Sequence, residues 1–244
     1  MERITSIRNP LLQHVRKLQN SRSYRESCRE FCADGWKLFG EALRWYPHIK
    51  TVIAAEGETV PAVPEGVRVV SVPASLMQSL STMKTPQGVI FTCTMPEEVP
   101  TELHPGMLVL DRIQDPGNLG TILRTADAFG VPVVLTNGCA DPFSEKTIRA
   151  SMGAVLRTTP QSVALSELLR TEIPIAATAL SDTARDIREV NLGNFLVVIG
   201  SEGQGICREL LDKASMHVII PMEPRCESLN AGVAAAIVMW QLKR

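Results

Sequence analysis

Two short apolar runs lie in the last fifty residues of the chain, and each ends in a loop of unusual composition. Residues 195–199 (FLVVI) lead into 200–205 (GSEGQG), and residues 217–220 (HVII) lead into 221–227 (PMEPRCE). Continuous apolar runs bounded by glycine or proline are typical of strands in a parallel sheet that is covered on both faces. Ligands of open α/β sheets bind beyond the carboxyl ends of the strands. We therefore expect both loops to lie at a functional edge.

The rest of the chain alternates between short apolar runs and helical periodicity, which predicts an α/β fold built on a parallel sheet. Further strands are expected at 51–55, 67–72, 88–92, 107–110, 131–135 and 174–178. Helices are expected after Asn9, Gly35 and Pro73, after a turn at 115–117, at 144–155 and 165–169, and from a cap at Ser228.

A segment rich in proline and glutamate separates two predicted domains. Residues 96–106 contain three prolines and three glutamates and show little apolar periodicity, so they read as a linker. The prediction is a small α/β domain at 1–95 and a larger one at 107–244.

Composition narrows the class of protein. The chain has 244 residues, of which 45% are hydrophobic and 21% charged, as in globular proteins. It has no apolar run of about 20 residues and no apolar leader, so we expect a cytoplasmic protein that does not associate with membranes. Six cysteines without a CxxC pair favour reduced thiols, and we expect neither a disulfide framework nor a metal site.

Positive charge is concentrated at the amino end, although the net charge is only −1. Residues 1–50 carry ten Lys/Arg against five acids, whereas residues 51–110 carry two against six. Clustered basic side chains are typical of a phosphate-binding surface, although a solvated helical face would look the same. Trp36 and Trp45 could stack on bases or could belong to the core. The candidate RNA-binding residues are Arg8, Arg16, Lys17, Arg22, Arg25 and Arg29.

Two polar residues in the segment 111–130 (DRIQDPGNLGTILRTADAFG) are candidates for a site. Asn118 is expected near the N-terminus of the following helix, where its amide could cap the helix or contact a ligand. Arg124, among apolar neighbours on that helix, needs either a salt-bridge partner or a polyanionic substrate.

The glycine-rich loop at 200–205 does not match the common nucleotide-binding motifs. Its spacing is not GxGxxG, and no GxxxxGK[ST] phosphate loop occurs in the chain, so an NAD or ATP site is not expected. Taken alone, the loop is as consistent with a tight turn as with a binding site.

Three segments together resemble a known family: 111–130, 198–205 (VIGSEGQG) and 219–233 (IIPMEPRCESLNAGV). They are similar, in order, to the three motifs of the SpoU/TrmH class of SPOUT RNA methyltransferases, which transfer a methyl group from S-adenosylmethionine to a ribose 2′-oxygen. The amino-terminal segment resembles that family's ribosomal-protein-like substrate-binding domain. Pro224 stands where many relatives have glycine, so the loop geometry is expected to differ there.

The resemblance implies a homodimer with a C-terminal trefoil knot that binds S-adenosylmethionine. It implies that Arg124 is the catalytic arginine, either as general base or as a stabiliser of the developing alkoxide, and that Asn118, Glu202 and Asn230 complete the catalytic set. The cofactor-binding residues that it implies are Thr178, Ala179, Leu180, Gly200, Glu202, Gly203, Ile220, Met222, Ser228 and Leu229.

The expected function is therefore an RNA ribose 2′-O-methyltransferase, with ribosomal RNA favoured over tRNA because the chain carries a full extra domain. A tRNA 2′-O-methyltransferase is the alternative within the class. A non-catalytic RNA-binding or ribosome assembly factor is the alternative of another class.

Overall fold

The computed structural model of the protein describes residues 2–97, 99–181 and 183–244, so Met1, Glu98 and Asp182 lie outside the described residues. The chain forms two compact units. The first comprises Met1–Glu98 and Phe143–Arg157, and the second comprises Val99–Pro142 and Thr158–Arg244. Residues 99–106, which the sequence suggests as linker, thus belong to the second unit.

The first unit contains a mixed five-stranded sheet in the order β1-β4-β3-β5-β2. Strand β5 runs antiparallel to β2 and β3, and the other neighbours are parallel. The strands are β1 Glu2–Arg3, β2 Glu30–Asp34, β3 Ile49–Ala55, β4 Arg68–Val72 and β5 Val89–Thr94. The first four helices are α1 Pro10–Asn20, α2 Arg22–Cys28, α3 Trp36–Trp45 and α4 Ala74–Leu80. Strand β2 was not predicted, because its apolar run is only three residues long.

Helix α1 forms as its sequence predicts. The Asn9 side chain accepts a hydrogen bond from the amide of Leu11, and Pro10 occupies the first helical position. Leu12, Val15 and Leu18 are fully buried in the core of the first unit. The opposite side of the helix carries Arg16 and Lys17.

The segment 143–157 adds two short helices to the first unit, α6 Glu145–Ala150 and α7 Ala154–Arg157. A single helix over 144–155 was expected, and that prediction is wrong. Met152 and Gly153 have φ angles of 52° and 84°, which interrupt the helix. A Cβ on Gly153 would lie 3.1 Å from Cγ of Glu41, so α7 packs closely on α3.

The second unit contains a seven-stranded sheet in the order β10-β12-β9-β11-β6-β7-β8, and all neighbouring strands are parallel. The strands are β6 Leu108–Asp111, β7 Val133–Leu135, β8 Gln161–Ser162, β9 Ile175–Thr178, β10 Arg185–Asp186, β11 Leu196–Gly200 and β12 Met216–Ile219. The helices are α5 Pro116–Phe129, α8 Leu165–Arg170, α9 Arg208–Lys213 and α10 Ala231–Leu242, with a 3₁₀ turn at Ile187–Glu189. The apolar runs β6, β9 and β11 form the centre of this sheet, as their composition predicts.

Two helix starts in the second unit differ from expectation. The predicted turn at 115–117 is the beginning of α5, with Asp115 as N-cap accepting from the amide of Asn118 and with Pro116 at the first position. The last helix begins after Asn230, not after Ser228, because the Asn230 side chain accepts from the amides of Gly232 and Val233. In the described part of the chain, no helix has the length and apolarity needed to cross a membrane.

Candidate active site

Two cavities lie beyond the carboxyl ends of β9, β11 and β12 in the second unit, where the sheet rule places ligands. The larger has a volume of about 380 Å³, within the range of small-molecule sites. The smaller has about 140 Å³. Residues 178–180, Ser228, Leu229 and Ala234 line both.

The cavities bring together all but one of the expected cofactor-binding residues. Those lining at least one cavity are Thr178, Ala179, Leu180, Gly200, Glu202, Ile220, Met222, Ser228 and Leu229. Gly203 lines neither and lies at the exposed tip of its loop. Sequence reasoning missed other lining residues, among them Ser201, Gln204, Gly205 and Ile206.

The loop after β11 folds back on itself. Ser201 and Gly205 form an isolated antiparallel bridge, with the Gly205 amide donating to the Ser201 carbonyl at 2.9 Å. A Cβ on Gly200 would overlap the backbone of Gly205 and Ile206. Glycine at 200 is therefore required by close backbone approach, whereas a Cβ on Gly203 would meet open space.

Three polar side chains from distant parts of the chain form one hydrogen-bonded row. Nδ2 of Asn118, in the first turn of α5, donates to Oε1 of Glu202. Nδ2 of Asn230 donates to Oδ1 of Asn118 at 2.9 Å, while Oδ1 of Asn230 caps α10. Asn118 thus receives one bond and donates another. The Asn118 side chain therefore links the N-cap residue of α10 to the loop after β11.

Arg124 lies on α5, six residues after Asn118, and its side chain is exposed. Within the described residues it makes no hydrogen bond or ion pair. The salt-bridge alternative from the sequence therefore has no support, and a cationic group on this helix is open to an external anion. Arg124 does not line either cavity.

A second pair of residues, which sequence reasoning missed, contacts the same loop from the end of β6. The buried carboxylate of Asp111 accepts from the Cys207 amide at 2.7 Å and from the Thr136 hydroxyl at 3.0 Å. Arg112 donates from Nη1 to Oε1 of Gln204 at 3.2 Å. The sequence feature that could have indicated Asp111 and Arg112 is a pair of charged residues directly after a buried strand.

Two thiols near the site, those of Cys207 and Cys139, are not activated. Burial raises the pKa of the Cys207 thiol above its ordinary value, and the carboxylates of Asp111 and Glu209 add to the increase. Burial likewise raises the pKa of Cys139, whose Sγ donates to the Leu110 carbonyl at 3.2 Å. A thiolate nucleophile is therefore disfavoured here. Across the described ranges, no group of three or more His, Cys, Asp or Glu side chains could hold a metal ion.

The candidate RNA-binding residues, all in the first unit, differ in accessibility. Arg8 and Lys17 are exposed, and Arg16 is half-buried. Lys17 also lies over the Tyr24 ring, with Nζ 5.4 Å from its centroid. Arg22 is paired with Glu26 at 2.8 Å, one turn along α2. Each of these four side chains is accessible enough for a phosphate group to contact it.

Arg25 does not fit the RNA-binding prediction. It is only 5% exposed, and its guanidinium donates to the carbonyls of Leu18 and Gln19 at the end of α1. It therefore satisfies helix-terminal carbonyls that would otherwise lack partners. Arg29 is half-buried in a left-handed turn and donates to the Pro96 carbonyl. Trp45, for which the sequence left open a place in the core or stacking on bases, is 55% exposed and does not belong to the core.

Residues 105–240 match the model of the SpoU rRNA Methylase family. The chain belongs to this family. Residues 9–90 match the MRM3-like substrate binding domain. The family resemblance, the α/β fold class and the N-terminal substrate-binding domain inferred from the sequence are thereby confirmed.

Individual relatives of this SpoU family member span its full length. It is 32% identical to the 23S rRNA (guanosine(2553)-2′-O)-methyltransferase RlmP of Bacillus subtilis, over 100% of both chains. The AdoMet-bound rRNA methyltransferase of Sinorhizobium meliloti superposes with a TM-score of 0.86 at 28% identity, covering 99% of this chain and 97% of the other. A solved RNA 2′-O ribose methyltransferase gives a TM-score of 0.78 at 30% identity, with coverages of 98% and 97%.

Proposed function

We propose that the protein transfers a methyl group from S-adenosylmethionine to a ribose 2′-oxygen of RNA. The observation that carries this proposal is the row Asn118, Glu202 and Asn230, which joins three sequence motifs beside the two cavities. The family match and the relatives' stated activities support the same reaction class. We propose that the second unit performs the transfer.

The donor pocket has a composition suited to S-adenosylmethionine. Leu180, Met222 and Leu229 supply apolar surface for an adenine ring, while the ends of β9, β11 and β12 supply backbone polar groups. The loops 200–205 and 220–229 form two walls of the pocket. When bound there, S-adenosylmethionine supplies an electrophilic methyl group.

The protein's own contribution is to position the RNA and control charge. A protonated ribose hydroxyl is a poor nucleophile, so holding it in line and stabilising its developing negative charge account for most of the expected acceleration. Arg124 is suited to this role because it is exposed, without a bonding partner in the described structure, and permanently protonated. We propose that it binds the adjacent phosphate and stabilises the alkoxide that forms as the hydroxyl proton passes to solvent, while Asn118, bonded to Asn230, fixes Glu202. The bond from the ribose oxygen to the methyl carbon would form as the bond from that carbon to the sulfonium sulfur breaks, with S-adenosylhomocysteine leaving.

We propose ribosomal RNA as the substrate, presented by the first unit. The match of residues 9–90 to a substrate binding domain supports this, as do the accessible side chains of Arg8, Arg16 and Lys17. The rRNA activity that the Bacillus subtilis relative's name states favours rRNA over tRNA. A cytoplasmic location stays a prediction of the sequence.

We further propose a homodimer formed through α10. Val233 and Trp240 on this helix are 49% and 65% exposed, and Trp240 packs edge-on against Phe129 of α5. An apolar helix face left in solvent is typical of an interface. Light scattering should give twice the chain mass, and Trp240→Glu should give a monomer. A monomeric wild-type protein would contradict the dimer.

The trefoil knot is also a proposal. The strand order places β12 beyond β9, and α10 returns to pack on α5, as a threaded C-terminus would require. An experimental chain trace that passes outside the loop after β11 would exclude it.

The reaction is tested by incubating purified protein with labelled S-adenosylmethionine and rRNA or tRNA transcripts. We expect label in rRNA ribose. Arg124→Ala should lose at least about a hundredfold in kcat, the scale for one charge-stabilising group, while calorimetry shows unchanged donor affinity. Arg170→Ala, in the same unit and outside both cavities, is the matched control. Full turnover of Arg124→Ala would overturn its role, and failure of the wild type to bind donor would revive the assembly-factor alternative.

A further inference from the structure

The residue after β6 adopts a backbone conformation that side chains seldom occupy. Arg112 has a φ angle of 56°, in the left-handed region, which is uncommon for a residue other than glycine. Gly138 makes room for it, because a Cβ on Gly138 would lie 3.2 Å from Cγ of Arg112. Such conformations persist when the surroundings over-determine them, and they cluster at functional sites. The contacts of the side chain show what this one positions.

The guanidinium of Arg112 bonds three acceptors. It donates from Nη1 to Oε1 of Gln204 at 3.2 Å, from Nη2 to the Gly205 carbonyl at 3.4 Å, and from Nε to Oδ2 of Asp111 at 3.3 Å. Five donors on a rigid planar group allow arginine to hold several acceptors in a fixed geometry. Arg112 therefore links the end of β6 to two consecutive residues of the loop after β11.

Asp111 orients this arginine and holds the end of the same loop. Its side chain is 3% exposed, and Oδ2 accepts both from Arg112 and from the Cys207 amide at 2.7 Å. Oδ1 accepts from the hydroxyl of Thr136 at 3.0 Å. The Cys207 amide and the Thr136 hydroxyl belong to distant parts of the chain, so they fix the carboxylate in position independently of Arg112.

The loop held in this way is a wall of the larger cavity. Gly200, Glu202, Gln204 and Gly205 all line it. Because the Gly205 backbone lies directly against Gly200, a shift of the Gly205 carbonyl displaces the end of β11 as well. Arg112 itself lines neither cavity. It contacts the loop that forms the cavity wall without lining the cavity itself.

We propose that Arg112, oriented by Asp111, is a positioning residue that holds the loop 200–207 in the conformation that binds the methyl donor. This inference rests on the proposed function, since it assigns the larger cavity to S-adenosylmethionine. It predicts that Arg112 changes the affinity of the protein for the methyl donor. The turnover of the loaded enzyme should change little, because Glu202 of the same loop is also held by Asn118 and the bound donor fills the cavity that the loop lines.

The test compares Arg112→Ala with the wild type by calorimetry with S-adenosylmethionine. We expect Kd to rise about tenfold or more, the effect of losing hydrogen bonds from a charged group. The kcat at saturating donor should stay within about twofold. Hydrogen exchange of the ligand-free protein should be faster at the amides of Gly205 and Cys207, a readout that needs no activity.

Two further variants separate positioning from general stability. Arg112→Lys keeps the charge but lacks the planar fork, so its Kd should lie between those of wild type and Arg112→Ala. Arg208→Ala is the matched control, because Arg208 is in the same unit, is 90% exposed and pairs with Asp212 one turn along α9. It should leave both Kd and loop exchange unchanged.

The outcomes are distinguishable. An unchanged Kd in Arg112→Ala overturns the proposal, and so does a Kd change without faster loop exchange. If Arg112→Ala does not fold, Arg112→Lys carries the test, because it changes a residue that lines neither cavity, and a rise in Kd with faster exchange at Gly205 is still expected. If the wild type binds no donor, the proposed function fails. The comparison of hydrogen exchange between wild type and Arg112→Ala still tests whether Arg112 holds the loop.

Discussion

Two aspartates end buried strands in the two units of the protein, and their surroundings are alike up to a point. Asp34 ends β2 in the first unit, and Asp111 ends β6 in the second. They are 6% and 2% exposed. Each precedes a residue with positive φ, namely Gly35 at 111° and Arg112 at 56°. The same strand ending is thus used twice.

The hydrogen bonds of the two carboxylates differ. Both oxygens of Asp111 accept bonds, including one from a charged guanidinium and one from a backbone amide. Oδ2 of Asp34 accepts from the Ser81 hydroxyl, whereas its buried Oδ1 has no hydrogen-bond partner in the described structure. A buried carboxylate is tolerated when it is paired and is costly when it is not. The Asp111 carboxylate anchors a loop, whereas the burial cost of the Asp34 carboxylate is relieved only in part by its bonds.

The largest effect that this contrast predicts is on stability. Asp111→Ala should lower the free energy of unfolding by about 3 kcal/mol, because it leaves the Cys207 amide and the Arg112 guanidinium without their acceptor. Asp34→Ala should lower it by no more than about 1 kcal/mol, since it removes one hydroxyl bond and also the unpaired oxygen. Urea unfolding monitored by circular dichroism measures both.

Asp111→Asn serves as the matched control. It keeps one acceptor oxygen and the side-chain volume but loses the charge, so its loss should fall between that of Asp111→Ala and zero. Equal destabilisation by Asp34→Ala and Asp111→Ala would mean that pairing does not distinguish the two sites.

The second test concerns the residues that follow the two aspartates. Gly35→Ala should cost about 2 kcal/mol, because a side chain at φ 111° is strained and its Cβ would lie 2.7 Å from Oε1 of Gln87. Gly40→Ala, in the middle of α3 with open space at its Cβ position, should instead stabilise by about 1 kcal/mol. Thermal unfolding of both variants gives the comparison. A stable Gly35→Ala would show that the left-handed turn is not needed to place Asp34.

Local patterns predicted much of this fold because they depend on neighbouring residues alone. The apolar runs at 107–110, 174–178 and 195–199 became central strands, and Asn9 with Pro10 started α1 as expected. The start of the last helix was misplaced because Ser228 and Asn230 are both good cap residues. Asn230 caps the helix through the amides of Gly232 and Val233, and it also bonds to Asn118, 112 positions away, a contact that no local pattern predicts.

The candidate site could be predicted only in part, for the same reason. The motifs indicated the residues around the cavities through resemblance, but Asp111 and Arg112 act through contacts with a loop more than 90 positions further along the chain. The burial of Arg25 depends on where α1 ends relative to α2. The segment 143–157 joins the first unit through contacts such as the packing of Phe143 on Phe31, at 4.8 Å between ring centroids, and no periodicity encodes them.

The smallest expected effect is a dependence on pH. Burial raises the pKa of Asp34 above its ordinary value, and the Glu145 carboxylate adds to this, while the Ser81 hydroxyl and Arg149 oppose it. The folded state therefore binds this proton more tightly than the unfolded state. Its ionisation lowers stability as the pH rises from about 3.9, the ordinary aspartate value, through the raised pKa. Below that window the penalty is absent.

Asp34→Asn isolates this penalty because the amide resembles the neutral acid. It should be more stable than the wild type by about 1 kcal/mol at pH 7, and the difference should shrink as the pH is lowered towards 4. Denaturant unfolding at several pH values measures the difference directly. If the advantage of Asp34→Asn were constant with pH, the pKa of Asp34 would be the same in the folded and unfolded states, and the contrast with Asp111 would be one of hydrogen bonding alone.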